Sequence, residues 1–185
     1  LFIFFLIMPT IGAIADMSGN RMRFFKFFAF GGAIFASTFY FVNSGDVLLT
    51  LGIYFLAQLG ATGSNVFYDS VLKDITTDDT IDSVSARGYA LGYLGGGTDL
   101  ILSFVIILLG PDMLGIDTAL ASKIAISKSG LWWLIFSVYS FSKMNIAETK
   151  RGSVSIANAY STNFKTLKKI RKFPFLLYFL VAYIF

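Results

Sequence analysis

The sequence has 185 residues, of which 56% are hydrophobic and only 14% are charged, whereas a soluble domain is charged at about a quarter of its positions. It holds no Cys and no His, which excludes disulfide bonds, thiol chemistry and metal sites with thiolate or imidazole ligands. These features predict an all-α membrane protein, a polytopic helix bundle, because helices satisfy every backbone group over long apolar spans in lipid.

The first apolar run, residues 1–15, is shorter than the roughly 20 residues that a bilayer requires, and it is predicted to be a helix cut by the edge of a fragment. The stretch GAIADMSGNRMRF, residues 12–24, joins this run to the next span. There Gly12 would allow close helix approach, Gly19 a tight turn, and Asp16 contact with a helix N-terminus or a basic partner. The alternative is an ordinary short loop whose charges only set topology.

Complete membrane spans follow, and they are predicted as four helices at about residues 24–42, 47–68, 88–110 and 124–142. The third is expected to end at Pro111. The fourth is expected to carry Lys123 and Lys128 at its outer end. The last apolar run, 173–185, is again too short to cross a bilayer and is predicted to begin a further helix.

The second span carries a polar face. At about 100° per residue, one arc of this helix holds Tyr54, Gln58, Ala61, Thr62, Asn65 and Asp69. Gln58 and Asn65 are therefore candidates for lining a wet interior, and hydrogen bonding between helices is an equally good interpretation. The segment that follows, 69–87, holds five Asp and is predicted to be a polar loop with room for one short helix.

The third span places small residues on one face. An arc of about 100° holds Gly88, Gly92, Gly95, Gly96, Asp99 and Ser103. Such a stripe predicts close packing on a neighbouring helix, with Asp99 turned away from lipid toward a partner, a substrate or a proton. Gly97 lies on the opposite side. The string GYLGGG is not a dinucleotide loop, because that motif needs a preceding strand and a soluble βαβ unit.

The basic residues are strongly asymmetric along the chain. Three segments, 21–26, 69–87 and 142–172, carry 13 of the 15 Lys and Arg, and the positive-inside rule places them in the cytoplasm. This explains the net charge of +4 without a nucleic-acid partner. The cluster KTLKKIRK at 165–172 is predicted either to contact anionic lipid head groups or to be a solvated loop end that sets topology.

The stretch at 12–24 resembles the signature loop of the major facilitator superfamily. The places of its glycines, aspartate and basic residues are taken by Gly12, Asp16, Gly19, Arg21 and Arg23. The resemblance narrows to the branch of uncharacterised bacterial transporters and the fungal autophagy-related vacuolar amino-acid effluxer, through NVFYDSVLKDI, SARGYALGYLGGG, GLWWLIFSVY and FLLYFLVAYIF in that order. Thr98 and Asp99 stand where this branch is commonly apolar, which argues against a role for Asp99 shared across the family.

The resemblance implies part of a twelve-helix transporter. Residues 1–142 would be an N-terminal six-helix bundle without its first helix, 143–172 the central cytoplasmic loop, and 173–185 the start of the C-terminal bundle. It also implies secondary active transport of a small solute, with amino-acid efflux and proton coupling as candidate activities, by two bundles rocking around a midplane site. The loop at 12–24 would then gate conformational change. The membrane would be the bacterial inner membrane, or the vacuolar membrane in a fungus.

Other function classes fit the sequence less well. A non-transporting membrane receptor or scaffold with the same fold is the main alternative. An enzyme is not expected, because no nucleophile–base pair or metal cluster stands out, and an ATP-driven pump is disfavoured by the absence of a P-loop motif. No cofactor and no metal is expected.

Overall fold

The computed structural model describes residues 2–144 and the isolated positions Ser161, Phe173 and Phe175. Five α-helices follow one another in the chain: α1 (Phe2–Ser18), α2 (Arg21–Ser37), α3 (Val47–Ile75), α4 (Ile81–Leu114) and α5 (Thr118–Lys143). A 3₁₀ turn at Thr38–Phe41 continues α2. Residues 2–144 contain no strand, which confirms the all-α prediction.

Four of these helices are long and apolar enough to cross a membrane, namely Arg21–Phe41, Val47–Ile75, Ile81–Leu114 and Thr118–Lys143. Each overlaps one of the four predicted spans, and several of their ends differ from the prediction. Leu1–Arg21 belongs to one compact unit of the chain, and Met22–Ala147, which holds all four spans except for Arg21 at the start of the first, belongs to another.

The prediction of a polar loop over residues 69–87 was wrong. Helix α3 continues to Ile75 and α4 begins at Ile81, so only residues 76–80 lie between them. At 1.5 Å per residue, the 34 residues of α4 extend over about 51 Å, well beyond a hydrocarbon core of roughly 30 Å. A helix satisfies its own backbone in water as in lipid, so the aspartate-rich ends continue as exposed helical turns.

Two other helix ends also differ from the prediction. Helix α4 passes Pro111 and ends at Leu114. It is capped by Gly115, which has a left-handed φ of 64° and donates its N–H to the Pro111 carbonyl at 3.2 Å. Helix α5 begins at Thr118 because the Asp117 carboxylate accepts a 2.6 Å bond from the Leu120 N–H. This earlier start places Lys128 ten residues, or about 15 Å, inside α5 rather than at its outer end.

The closest helix contacts are made at glycines of α2, α3 and α5. A Cβ atom on Gly60 of α3 would collide with the backbone of Gly32 in α2, and one on Gly130 of α5 would collide with the backbone at Ser37. Beside the first of these contacts, Phe67 is only 1% exposed and its ring stacks on that of Phe28 at 5.8 Å. Small residues bring the backbones together, and aromatic rings fill the space beside them.

Candidate functional site

An ion pair joins α4 to α5 within their membrane-spanning segments. The Lys128 Nζ lies 2.6 Å from the Asp99 Oδ1. The other carboxylate oxygen, Oδ2, accepts a 2.6 Å hydrogen bond from the Ser129 hydroxyl. Asp99 is therefore bonded through both oxygens, by two consecutive residues of the facing helix.

The backbone carbonyl of Asp99 completes the arrangement. It accepts a 2.8 Å bond from the Lys128 Nζ and another of 2.8 Å from the Ser103 hydroxyl. We call Asp99, Ser103, Lys128 and Ser129 the charge cluster. Its two charged side chains are only 15% and 23% exposed, for Asp99 and Lys128 respectively.

The charge cluster lies far from both ends of its helices. Asp99 is about 22 Å along α4 from Leu114, and Lys128 is about 15 Å along α5 from Thr118. Charged residues at this depth are costly in lipid, and they persist where they pair with one another or line a pathway. The closed pair carries no net charge, whereas an opened pair would present a carboxylate able to take a proton or a cation and an ammonium able to take an anion.

Sequence reasoning identified Asp99 but missed its partner. The predicted span begins at residue 124, which puts Lys128 near its outer end, whereas the N-cap at Asp117 starts α5 at Thr118. Asp117, a favoured N-cap residue, is the feature of the sequence that indicates this earlier start and a position for Lys128 deep in the span. The Asp99 carboxylate contacts the neighbouring helix α5, and its role in a cavity or in proton coupling stays a prediction.

The glycine stripe of α4 does not pack as predicted within the described part of the chain. Gly88 approaches the Tyr68 hydroxyl, but no described atom lies within 4 Å of the Cβ position at Gly92, Gly95 or Gly96. Helix α4 instead meets α5 further along the same face, at the charge cluster, and at Gly110, where a Cβ would be 3.7 Å from that of Ala121. The stripe is therefore open, and close packing there remains a prediction about a neighbour outside these residues.

A cavity of about 630 Å³ lies among α2, α3, α4 and α5. Asn65 and Gly92 line it, so two residues singled out from different helices share one space. Gln58 and Asp99 are not among its lining residues. Both amides of α3, Gln58 and Asn65, are exposed and make no hydrogen bond to another described residue.

The loop between α1 and α2 forms a tight, charged turn. Gly19 has a φ of 71°, a left-handed conformation that favours glycine, and the Asn20 N–H donates to the Ala15 carbonyl at 3.2 Å. The Asp16 Oδ1 lies 2.6 Å from the Arg21 Nε. No described atom lies within 4 Å of a Cβ at Gly12, so the close approach expected there is not made by the described residues.

The remaining predictions concern Arg23, metal binding and the segment after α5. Arg23 is exposed near the start of α2. Among the described residues, no three acidic, Cys or His side chains gather into a group that could hold a metal ion. The predicted central loop at 143–172, the lipid-binding cluster at 165–172 and the helix start at 173–185 lie outside the described residues, apart from Lys143, Met144 and the three isolated positions.

Comparison with known proteins identifies the family to which the chain belongs. Residues 1–185 match the family model described as vacuole effluxer Atg22 like. The uncharacterized MFS-type transporter YxiO of Bacillus subtilis (strain 168) is 32% identical over 186 residues, an alignment that covers 100% of this chain and 44% of the relative. No solved structure matches. With its four apolar helices the chain is part of an integral, multi-pass membrane protein, and it belongs to the vacuole effluxer Atg22-like family of the major facilitator superfamily.

Proposed function

We propose that the whole protein is a secondary active transporter that moves a small solute by alternating access, with amino acids as the first class to test and the bacterial inner membrane as its location. The family and the Bacillus relative support transport. The observation that carries the proposal is the Asp99–Lys128 ion pair, 2.6 Å long and far from both ends of two membrane spans.

The ion pair supports coupling between a solute and a conformational change. While the pair is closed, its charges cancel and α4 and α5 are held together. Opening it leaves two charges in a medium of low polarity unless others replace them. A zwitterion offers both replacements, since its ammonium complements Asp99 and its carboxylate complements Lys128. A proton on Asp99 replaces one of them, and this exchange would couple transport to a pH gradient.

The test is transport by the full-length protein in proteoliposomes with an imposed pH gradient, across a panel of amino acids. We expect Asp99→Asn to remove the pH dependence and Lys128→Gln to lower transport at least tenfold. Lys123→Gln, five residues from Lys128 on the same helix, is the matched control and should leave transport within about twofold, because it removes a charge outside the cluster.

Two results would count against this function. Unchanged transport by Asp99→Asn at every pH would make the carboxylate purely structural. Failure of the native protein to move any solute, with ligand binding retained, would favour the receptor or scaffold.

We further propose that the turn holding Asp16 gates conformational change. Its ion pair with Arg21 and the left-handed Gly19 give the connection one defined shape. The predicted topology places it at the cytoplasmic edge, roughly 15 Å from the membrane midplane, which is too far for contact with a midplane solute. Asp16→Asn should therefore slow turnover severalfold and leave solute affinity within a few-fold. A large loss of affinity at normal turnover would contradict the gating role.

A further inference from the structure

The cavity among α2, α3, α4 and α5 has an aromatic wall and no charged lining residue. Its rings come from three helices: Phe25, Tyr68, Trp133, Phe136 and Phe141. Its floor is covered, since Phe25 is 9% exposed and Ala29 only 2%, and its mouth is open, since Phe136 is 52% exposed. A space of about 630 Å³ is within the usual range for a ligand site of roughly 300–1,000 Å³, and this lining favours an apolar occupant.

Polar groups in the cavity wall are left without partners. Asn65, Tyr68, Ser137 and Ser140 line the cavity, and none of their side chains makes a hydrogen bond to another described residue. Ser137 is only 8% exposed. A purely hydrocarbon occupant would leave the nearly buried hydroxyl of Ser137 without a partner, so an occupant that also carries hydrogen-bonding atoms fits the cavity better.

Depth and charge restrict the occupant further. From Trp133 to Met144 the cavity follows α5 for about 16 Å, close to half of a 30 Å hydrocarbon core. It therefore extends over one leaflet, from the helix ends predicted to be cytoplasmic toward the midplane. At that end a cation stands at the rim, because the Lys26 Nζ lies 5.8 Å from the centre of the Phe141 ring.

We propose that this cavity binds an anionic phospholipid of the predicted cytoplasmic leaflet. One acyl chain lies against Trp133 and Phe136, the ester region meets the hydroxyls of Ser137 and Ser140, and the phosphate pairs with Lys26. The hydrocarbon tail of such a lipid matches the apolar wall. Its polar ester linkage matches the unpartnered hydroxyls, and its anionic head group matches the cation at the rim. The site is separate from the charge cluster and does not depend on the transport proposal.

Quenching of tryptophan fluorescence tests the site directly. The full-length protein is placed in nanodiscs that contain phosphatidylglycerol or phosphatidylcholine brominated along the acyl chain. We expect brominated phosphatidylglycerol to quench the fluorescence more strongly than brominated phosphatidylcholine. Trp133→Phe should abolish this difference. The neighbouring Trp132→Phe is the matched control and should retain it, because Trp132 is not part of the cavity wall.

Two further variants test the head group and the space. Lys26→Gln should lower the preference for phosphatidylglycerol about fivefold, the effect of one surface cation, whereas Lys123→Gln, on the predicted opposite side of the membrane, should not. Gly92→Leu fills the cavity from α4 and should reduce quenching, whereas Gly97→Leu should not, and neither glycine has a described atom within 4 Å of its Cβ position. Three results would overturn the proposal: equal quenching by the two lipids, stronger quenching by phosphatidylglycerol that survives Trp133→Phe, or a lipid preference that Lys26→Gln leaves unchanged.

Discussion

Asp99 and Lys128 carry opposite charges between two membrane-spanning helices, and each limits the cost of the other. The 2.6 Å ion pair is supported by a hydroxyl on the second carboxylate oxygen and by a carbonyl that accepts from the ammonium. Replacing a buried pair with apolar residues is often close to neutral, whereas removing one partner leaves an uncompensated charge. The two kinds of change therefore have different consequences for stability.

The single variant Lys128→Met should be less stable than the double variant Asp99→Leu/Lys128→Met. Breaking a fully buried pair costs about 3–5 kcal/mol, and the 15% and 23% exposure of these side chains places the expected loss below that range. Thermal unfolding of the purified full-length protein measures the order of the three proteins. Equal stability of the single and double variants would mean that the carboxylate finds another partner, and that the pair is not what satisfies it.

At the scale of the helices, glycine determines which elements come closest. Gly60→Leu should prevent normal assembly, because a Cβ at Gly60 already collides with the backbone of Gly32, and backbone cannot move aside as a side chain can. An overpacked core typically loses about 1–3 kcal/mol and occasionally more. Gly96→Leu on α4 is the matched control and should be tolerated by the described helices, since its Cβ position is open.

Size-exclusion profiles and melting temperatures of the two full-length variants provide the measurement. A monodisperse, normally stable Gly60→Leu protein would show that α2 and α3 are not in direct backbone contact. Damage from Gly96→Leu alone would instead indicate that the α4 stripe packs against a part of the protein outside the described residues.

Hydropathy was sufficient to predict the helices, because each span must satisfy its backbone alone in lipid. It could not predict their ends, since the aspartate-rich turns beyond the membrane are helical in water without any apolar signal. Nor could periodicity on one helix identify the partner: the stripe around Gly92 was regular, yet the close contact formed at Gly32 and Gly60, where the pattern was less evident. Packing depends on which faces meet, and that information is spread over several helices.

Only part of the candidate site could be predicted from the sequence, because its residues come from several helices. A carboxylate in the middle of a span signals a partner by its cost alone, so Asp99 could be identified from the sequence. Lys128 could not be assigned to it without the starting point of α5, which depends on the single Asp117 cap. Asn65 was identified as a residue facing an interior, and it lines the cavity, but the aromatic residues opposite it come from helices that the sequence alone does not bring together.

At the scale of the whole molecule, the charge asymmetry predicts how the chain crosses the membrane. Ser83 lies near the start of α4, beyond the apolar stretch, and is exposed, whereas Ser44 is exposed in the turn before α3. Helix α3 separates the two positions with 29 residues, about 44 Å of helix, comparable to the full bilayer thickness of roughly 40–45 Å. They are therefore expected on opposite faces of the membrane.

Single cysteines introduced at Ser83, Ser44 and Ser155 test this arrangement in the full-length protein, after replacement of any cysteine elsewhere. The positive-inside rule places residues 69–87 and 142–172 in the cytoplasm, so Ser83→Cys and Ser155→Cys should both be protected from a membrane-impermeant maleimide in intact cells and react after permeabilisation. Ser44→Cys should react in intact cells. Reaction of Ser83→Cys and Ser155→Cys from opposite faces would contradict the topology, because an even number of spans must separate them if both segments are cytoplasmic.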